Sequence, residues 1–344
     1  MYISISSRML VNLESLNSVE TVGALVRHRT APISIPEEDG YRIKFVPVIS
    51  GESIAHAYQE LIVDEAIKMN LPIGKYSAKY EFIKYADDGI MKEEGIEVPK
   101  METDILRAEL EVLNKDVVAD IGGFLFAGNY PVKRTSRFYV GYMVPAIYDV
   151  DAAALEAQFH VRMVPSKVGV RGERGRAPPQ APYNIEVASA LYTFTFNLDV
   201  DGIAVPSTKF GEAPNELLNK LAEQKKDRVI LALRALAKLF SGNEFGAKRT
   251  RFLPNMEYKS MVAAFSHGCR FNVSPGNSKK YISDTVLRAK DYLDTLKKLG
   301  YNNAEIRIIV YDAEDASSEV EDIERVDTPE AVIRRLVDLV LERL

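Results

Sequence analysis

The chain has 344 residues, of which 47% are hydrophobic and 27% are charged, as in an ordinary globular protein. This composition excludes a disordered chain, a collagen-like chain and a disulfide-stapled mini-protein, and the length suits one elaborated domain or two smaller ones. The formal net charge of −5, taken alone, argues against a nucleic-acid-binding protein.

The first predicted element is a strand over residues 2–13, in which apolar and polar side chains alternate. We expect one face of this strand to be buried and the other to be open to a ligand. The buried set is Ile3, Ile5, Met9, Val11 and Leu13, and the open set is Ser4, Ser6, Arg8 and Asn12.

A polar loop follows the first strand and ends in the basic run at 27–30. A second predicted strand at 42–48 then leads to Ser50, Gly51 and Ser53, which predict a helix start.

Residues from about 72 to 122 predict short helical pieces interrupted by proline and glycine, which we interpret as a helical insertion. A basic loop containing Arg134 and Arg137 then opens a strand through 138–144. Residues 155–163 alternate again, with His160 on the polar side. The side expected to be buried consists of Leu155, Ala157, Phe159, Val161 and Met163.

Residues 165–182, PSKVGVRGERGRAPPQAP, contain three glycines and four prolines, which exclude a regular element for most of the segment. One acidic residue is outnumbered by four basic ones, Lys167, Arg171, Arg174 and Arg176. A long strand at 183–198 follows at once. We therefore predict a thumb-like basic loop that projects between two strands.

The rest of the chain alternates helices near 214–240, 281–299 and from Thr328 onward with strands at 257–265 and 306–310. A basic loop between the first of these helices and the next strand carries Lys248, Arg249 and Arg251. Residues 311–344 form an acidic, helical C-terminal segment with eleven acids and four bases, which leaves +2 for residues 1–310. The pattern predicts an α+β fold built as a single elaborated domain over residues 1–344.

The usual catalytic signatures are missing from the sequence. The four histidines occur singly, and HExxH, GxSxG, GxxxxGK[ST] and GxGxxG are not present. Cys269, the single cysteine, cannot form an internal disulfide or a thiolate zinc site. We therefore expect no cofactor and do not favour an enzyme. We also expect a cytoplasmic protein, because neither a secretory signal nor a membrane-length apolar run is present.

One composition recurs in loops next to predicted strands: arginine, lysine and histidine mixed with serine, threonine, asparagine and glycine. It occurs at 27–30, 133–137, 165–182 and 248–251. Arginine offers a planar fork to phosphate oxygens, and hydroxyls, amides and backbone N–H groups add neutral donors. A single cluster of this kind is more simply a solvated turn, but four of them favour a phosphate-rich partner. The distribution of charge is therefore more informative than its overall sign.

A set of longer segments carries a family resemblance: LVNLESLNSVETVGALVRHRTAPI, PVISGESIAHAYQ, ADIGGFLFAG, PVKRTSRFYVGYMVPA, LEAQFHVR, EVASALYTF and FGAKRTRFLP. Together they resemble the backbone subunit of type I-A CRISPR surveillance complexes, also described as the DevR-like autoregulator family. The resemblance implies a modified RNA-recognition-motif (ferredoxin-like) core with a helical insertion and a projecting thumb-like hairpin. It further implies a non-catalytic subunit that polymerises along CRISPR guide RNA as a helical filament. Its other implied partners are further surveillance-complex subunits and, through the guide, target DNA, with no membrane.

The resemblance also implies which residues contact the guide RNA. They are Asn12, Ser15, Asn17, Arg27, His28, Arg29, Ser50, Gly51, Ser53, His56, His160, Lys248, Arg249 and Arg251. Arg134, Arg137 and the four basic residues of the 165–182 segment are added on composition and position. An alternative stays open: a metal-assisted RNA endonuclease on a related fold, since His160 lies among basic residues. A small-molecule enzyme whose site is dispersed in the sequence is a third reading.

Overall fold

The computed structural model describes residues 1–163 and 180–344 and shows a mixed sheet-and-helix fold. The elements before the gap are β1 (Tyr2–Glu14), β2 (Ser18–Val22), β3 (Leu25–His28), β4 (Thr30–Glu37), β5 (Gly40–Pro47), α1 (Gly51–Met69), α2 (Asp88–Glu93), α3 (Ile105–Lys115), α4 (Val117–Gly122), β6 (Phe124–Phe126), β7 (Val132–Arg134), β8 (Phe138–Val140), β9 (Val144–Pro145) and β10 (Ala154–Met163). The elements after it are β11 (Gln180–Asp199), α5 (Asn215–Glu223), α6 (Lys225–Ser241), β12 (Asn255–His267), α7 (Tyr281–Lys298), β13 (Glu305–Asp312), β14 (Glu324–Arg325) and α8 (Pro329–Leu341). Short 3-10 turns lie at Ser77–Lys79, Glu102–Asp104 and Ile147–Ala152.

A ten-stranded sheet organises the part of the chain that the structure describes. Its order is β14-β13-β12-β1-β11-β3-β2, and β8, β9 and β10 also pair with β11. The four strands β12, β1, β11 and β10 are antiparallel throughout. Two further hairpins, β4–β5 and β6–β7, lie outside this sheet.

The sheet is covered on both faces because its strands alternate between two hydrophobic clusters. Met261 and Phe265 of β12 belong to the main core, together with α1, α6 and α8. Val262, one residue along, packs with Ile282 of α7 in a second cluster on the opposite face. α1 and α6 are joined by a hydrogen bond from the Tyr58 hydroxyl to the carbonyl of residue 232 at 2.9 Å.

β1 lies in the middle of this sheet, so its polar face is also buried. Ser4 is fully buried and accepts a hydrogen bond from the Val273 amide at 3.0 Å. Arg8 is 1% exposed, donates to the Gly276 carbonyl at 2.9 Å and forms an ion pair with Glu314 at 2.8 Å. The prediction that this face is open to a ligand is therefore wrong for Ser4, Ser6 and Arg8, because residues before α7 and Glu314 after β13 cover it.

Two sets of apolar residues expected in the interior point to solvent instead. Leu13 has a φ of 55° where the β1–β11 register shifts, and its side chain is 65% exposed. β10 pairs with the first half of β11, up to Ser189, whereas β1 pairs with the second half, from Ala188 onward. Leu155, Phe159 and Val161 are consequently exposed, since the helical layer does not reach them. β10 and the first half of β11 form an arm that extends beyond the sheet centre.

Several other predicted elements are present with adjusted limits. The helix predicted at 214–240 is two helices, α5 and α6, that meet at Gln224. Thr328 caps α8 as predicted, accepting from the Ala331 amide at 3.1 Å. α2, α3 and α4 lie within 72–122, and 311–344 contains the end of β13, β14 and α8. The division of the chain into a core and insertions stays a prediction. Within the described residues, no helix is both long and apolar enough to cross a bilayer.

Candidate nucleic-acid interface

The turn after β1 joins three segments that the sequence places far apart. The Asn17 carbonyl accepts a hydrogen bond from the Arg29 amide at 3.0 Å, at the end of β3. The Asn17 side-chain oxygen accepts from the Ser50 amide at 2.8 Å, at the start of α1. Ser15 is buried and donates to the Glu186 carbonyl of β11 at 3.1 Å. Ser15 and Asn17 therefore hold the site together rather than projecting from it.

The basic loop between α6 and β12 is fastened to the same turn. The Ala247 amide donates to the Leu16 carbonyl at 2.8 Å. Gly246 has a φ of 84°, and a Cβ there would come within 2.6 Å of the Leu16 side chain, so only glycine fits. The Phe252 amide donates to the Lys248 carbonyl at 3.0 Å, which closes the loop on itself. The turn thus brings the 248–251 cluster beside the 27–30 cluster.

Five cations of these two clusters have no ion pair with a carboxylate among residues 1–163 and 180–344. Arg27 and Arg251 are exposed, and Arg29, Lys248 and Arg249 are partly exposed. The Nε atoms of Arg29 and Arg249 are buried without a hydrogen-bond partner in the described part of the chain. Burial lowers the pKa of Lys248. Uncompensated positive charge on one surface attracts a polyanion.

The start of α1 adds a capped helix N-terminus next to this charge. Ser50 is the cap residue, with φ −68° and ψ 144°, and its hydroxyl accepts from the Ser53 amide at 3.2 Å. A Cβ at Gly51 would lie 2.8 Å from the Val140 carbonyl oxygen and 3.2 Å from that of Gly141. The close approach of two backbones therefore requires glycine here. The helix dipole places partial positive charge at this end.

His56 and Asn12 lie at the margin of the site. The His56 side chain is 54% exposed, its Nε2 is 3.3 Å from Glu60, and its ring makes an edge contact with Phe82 at 5.0 Å. It faces the 72–122 segment rather than the 248–251 loop. Asn12 is partly exposed and pairs in register with Asn255 of β12.

His160 lies in an aromatic group that sequence reasoning missed. Its ring stacks on Tyr183 at 5.3 Å and meets Phe252 edge-on at 5.7 Å. Its Nε2 is buried without a partner among the described residues. Tyr183 is opposite His160 in the β10–β11 register, so only a correct hairpin register could have revealed it. Phe252 connects this base of the arm to the basic loop.

His28 was predicted to contact RNA, and its side chain is instead buried inside the site. It is 2% exposed, with Nδ1 2.8 Å from the Arg29 carbonyl and Nε2 2.7 Å from Glu14. Its amide donates to Glu186 at 2.8 Å. Burial opposes the charged form, but the adjacent Glu14 carboxylate outweighs it and raises the pKa of His28. The prediction of a direct contact is wrong.

Arg134 and Arg137 were also predicted to contact RNA, and both lie elsewhere. The Arg134 side chain is fully buried, with ion pairs to Asp120 and Glu109. Arg137 is 3.4 Å from Asp199, which pairs in register with the first residue of β1. The candidate site is at the other end of β1, roughly 40 Å away at about 3.3 Å per residue. The prediction failed because the carboxylates that neutralise this cluster belong to other elements, namely α3, α4 and the end of β11.

The four thumb cations Lys167, Arg171, Arg174 and Arg176 lie outside the described residues. The strands on either side of them are antiparallel up to the pair Met163 and Gln180. The thumb-like loop itself stays a prediction. In residues 1–163 and 180–344, no three or more His, Cys, Asp or Glu side chains come together as metal ligands.

Comparison with known proteins settles the family. The family model described as CRISPR-associated negative auto-regulator DevR/Csa2 matches residues 5–286, a range that includes every candidate named above. The chain belongs to the DevR/Csa2 family. This confirms the resemblance drawn from the sequence segments.

Relatives of this family cover most of the chain. The CRISPR-associated aCascade subunit Cas7/Csa2 2 of Saccharolobus solfataricus is 51% identical over 287 residues, 83% of this chain and 86% of the relative. The CRISPR-associated protein Cas7/Csa2 1 of the same organism is 39% identical over 82% of this chain and 85% of its own. The CRISPR-associated protein Cas7/Cst2/DevR of Methanocaldococcus jannaschii is 26% identical over 98% of this chain and 99% of its own.

A solved structure supports the fold. One chain of a CRISPR RNA-guided surveillance complex superposes with a TM-score of 0.51 at 10% identity. The match covers 99% of this chain and 100% of that chain. At this identity the likeness concerns the fold alone.

Proposed function

We propose that this chain is a non-catalytic subunit that binds CRISPR guide RNA, polymerises along it as the helical backbone of an antiviral surveillance complex, and displays the guide for pairing with target DNA. The observation that carries the proposal is the convergence of five cations without carboxylate partners among the described residues: Arg27, Arg29, Lys248, Arg249 and Arg251. Membership of the DevR/Csa2 family and relatives whose names describe a Cascade subunit support it.

We also propose that the core is a modified RNA-recognition motif. The strand order β12-β1-β11-β10 is antiparallel throughout, α1 lies between β1 and β10 in sequence, and α6 lies between β11 and β12. That arrangement matches the β-α-β-β-α-β order of ferredoxin-like folds. The other elements are then insertions into this core, including the helices in 72–122 and the thumb-like loop predicted between β10 and β11.

The residue types at the site suit a ligand whose base sequence varies. A guide-binding subunit has to accept any spacer, so its contacts should go to phosphates and 2′-hydroxyls rather than to base edges. Arginine forks, a lysine and a helix N-terminus provide such contacts. Tyr183, His160 and Phe252 add aromatic surface at the base of the arm, where a displaced base can stack. Each copy needs only a short footprint, because neighbouring copies on one RNA bind cooperatively.

Incubating the purified full-length chain with end-labelled RNAs of increasing length, with and without Mg²⁺ or Mn²⁺, tests the proposal. We expect intact RNA to be retained under every condition, and the sedimentation coefficient of the complex to grow with RNA length. Metal-dependent cleavage that disappears in His160→Ala would replace this proposal with the endonuclease alternative. A monomer that retains no RNA would contradict both.

A further inference from the structure

A buried acid–histidine pair lies directly under the cations of the proposed RNA site. We propose that Glu14 and His28 are positioning residues whose shared proton holds both cationic segments in place, so that RNA affinity depends on pH through a pair that does not touch the RNA. The proposal rests on the proposed function, and it gives His28 a role different from the direct contact that its sequence position suggested.

Glu14 joins three elements through one fully buried carboxylate. Its Oε2 accepts a hydrogen bond from the Leu16 amide at 2.6 Å, within the turn after β1. Its Oε1 accepts from the Tyr192 hydroxyl of β11 at 2.8 Å and lies 2.7 Å from His28 Nε2 of β3. Glu14 therefore ties the turn after β1 to β11 and β3.

The His28 ring lies between two acceptors. Nδ1 is 2.8 Å from the Arg29 carbonyl, and Nε2 makes a close ion contact with Glu14 rather than an in-line hydrogen bond. A neutral imidazole has one N–H and can serve only one of these acceptors, whereas the imidazolium serves both. The other charged group that faces the ring is Glu186 of β11, whose carboxylate accepts from the His28 amide at 2.8 Å. Both neighbouring carboxylates favour the protonated ring.

Each residue of this pair contacts the backbone that holds one of the two cationic segments. On the His28 side, the Arg29 carbonyl that faces Nδ1 also accepts from the Val48 amide at 3.0 Å, so this contact fixes the backbone between Arg27 and the start of β4. On the Glu14 side, the carboxylate fixes Leu16, whose carbonyl holds the 248–251 loop through Ala247. Loss of the proton leaves one acceptor of the ring unserved and loosens both segments.

The sign of the pH effect follows from the contacts. The pKa of His28 is higher in the folded chain than in the unfolded chain, because Glu14 outweighs the effect of burial. The stabilisation from the pair is therefore complete below the unfolded value and is lost as pH rises through the folded value. RNA binding should weaken over the same interval.

The test measures the affinity of the full-length chain for a labelled unstructured oligouridine from pH 6 to 9 at constant ionic strength, together with thermal melting. We expect His28→Gln to bind about tenfold more weakly at pH 6, because the ion contact with Glu14 is lost, and its affinity to show no transition with pH that the pair would cause. The slope of affinity against salt should not change, since every phosphate-binding cation is still present. The matched control is His267→Gln at the exposed end of β12, which should behave as the wild type.

Folded His28→Gln with the affinity and pH profile of the wild type would overturn the proposal. If melting shows that His28→Gln does not fold, Tyr192→Phe is used to test the proposal instead. It keeps the His28 imidazole and removes one hydrogen-bond donor from Glu14. With that donor gone, the Glu14 carboxylate interacts more strongly with the His28 ring, so the transition should move to higher pH; an unchanged transition overturns the proposal. A wild-type chain that binds no RNA at any pH would instead contradict the proposed function itself.

Discussion

The side-chain oxygen of Asn17 accepts a hydrogen bond from the backbone amide of Ser50 at 2.8 Å, across 33 residues of sequence. Asn17 is 8% exposed, and its own carbonyl is held by the Arg29 amide. One side chain thus connects the end of β1 to the capped start of α1, and its backbone connects both to the basic end of β3. The geometry of the candidate interface depends on this connection.

Asn17→Ala should lower the free energy of unfolding by about 1–3 kcal/mol, because the buried Ser50 amide loses its acceptor. It should also weaken RNA binding, since the start of α1 is no longer tied to the turn. Urea denaturation and RNA titration measure the two effects. Asn302→Ala, at an exposed position after α7, should stay within about 0.5 kcal/mol of the wild type. Equal stability of the two variants would contradict the role given to Asn17.

Arg134→Met should destabilise the chain by about 3–5 kcal/mol without changing the RNA affinity of the folded fraction. The guanidinium is fully buried with Asp120 and Glu109, so its removal leaves buried carboxylate charge less compensated. Chemical denaturation at neutral pH measures the loss. Arg251→Ala, an exposed cation of the candidate site, should show the opposite pattern, with nearly unchanged stability and weaker binding. Weaker binding with unchanged stability in Arg134→Met would instead assign Arg134 to the RNA-binding surface.

Gly51→Ala should cost about 1–3 kcal/mol, because its Cβ would meet two backbone carbonyls that cannot move independently of β8. The displaced helix start should also weaken RNA binding. Gly141→Ala is the matched control, since a Cβ there has nothing closer than 3.8 Å. Thermal melts of both variants check the prediction, and a Gly51→Ala melt equal to that of the control would refute it.

Replacing residues 166–177 with a short glycine-serine linker should leave the thermal melt nearly unchanged. β10 and β11 pair along their whole facing length without help from this segment. Assembly on RNA should be impaired, because the four basic residues of the predicted thumb are removed. Loss of the cooperative melt would show that the segment belongs to the folded core instead.

Local chemistry was sufficient to predict most elements of the fold. Ser50 and Thr328 were identified as helix starts because a cap needs only its own side chain and the next turn. The alternation of apolar and polar residues over 2–13 predicted a strand, because this pattern is also a local property of the sequence. The layer over the polar face of β1 could not be predicted, because Arg8 is neutralised by Glu314, about three hundred residues later.

The candidate site was predictable only where its residues keep their charge at the surface. Arg29 and Lys248 have no carboxylate partner among the described residues, so composition alone was enough to identify them as candidate site residues. Arg134 has the same local sequence character but meets Asp120 inside the protein. His28 was misjudged in the same way, since Glu14 reaches it through the β1–β11–β3 pairing. Acids that the fold brings close to a basic cluster decide whether that cluster remains available to a ligand.

The most direct test of sequence-independent phosphate binding is the salt dependence of RNA affinity in a fourfold variant. Arg27, Arg29, Lys248 and Arg249 are replaced together by alanine. The matched control removes the same charge from four ion-paired cations, Lys100, Arg107, Lys290 and Arg307.

For the site variant, we expect weaker binding to the same extent for RNAs of unrelated sequence. The slope of log affinity against log salt should become shallower by about 0.7 for each phosphate that the variant no longer neutralises. The control should retain nearly the wild-type slope. A loss of affinity confined to particular RNA sequences would contradict sequence-independent phosphate binding. An unchanged slope of log affinity against log salt in the site variant would also contradict it.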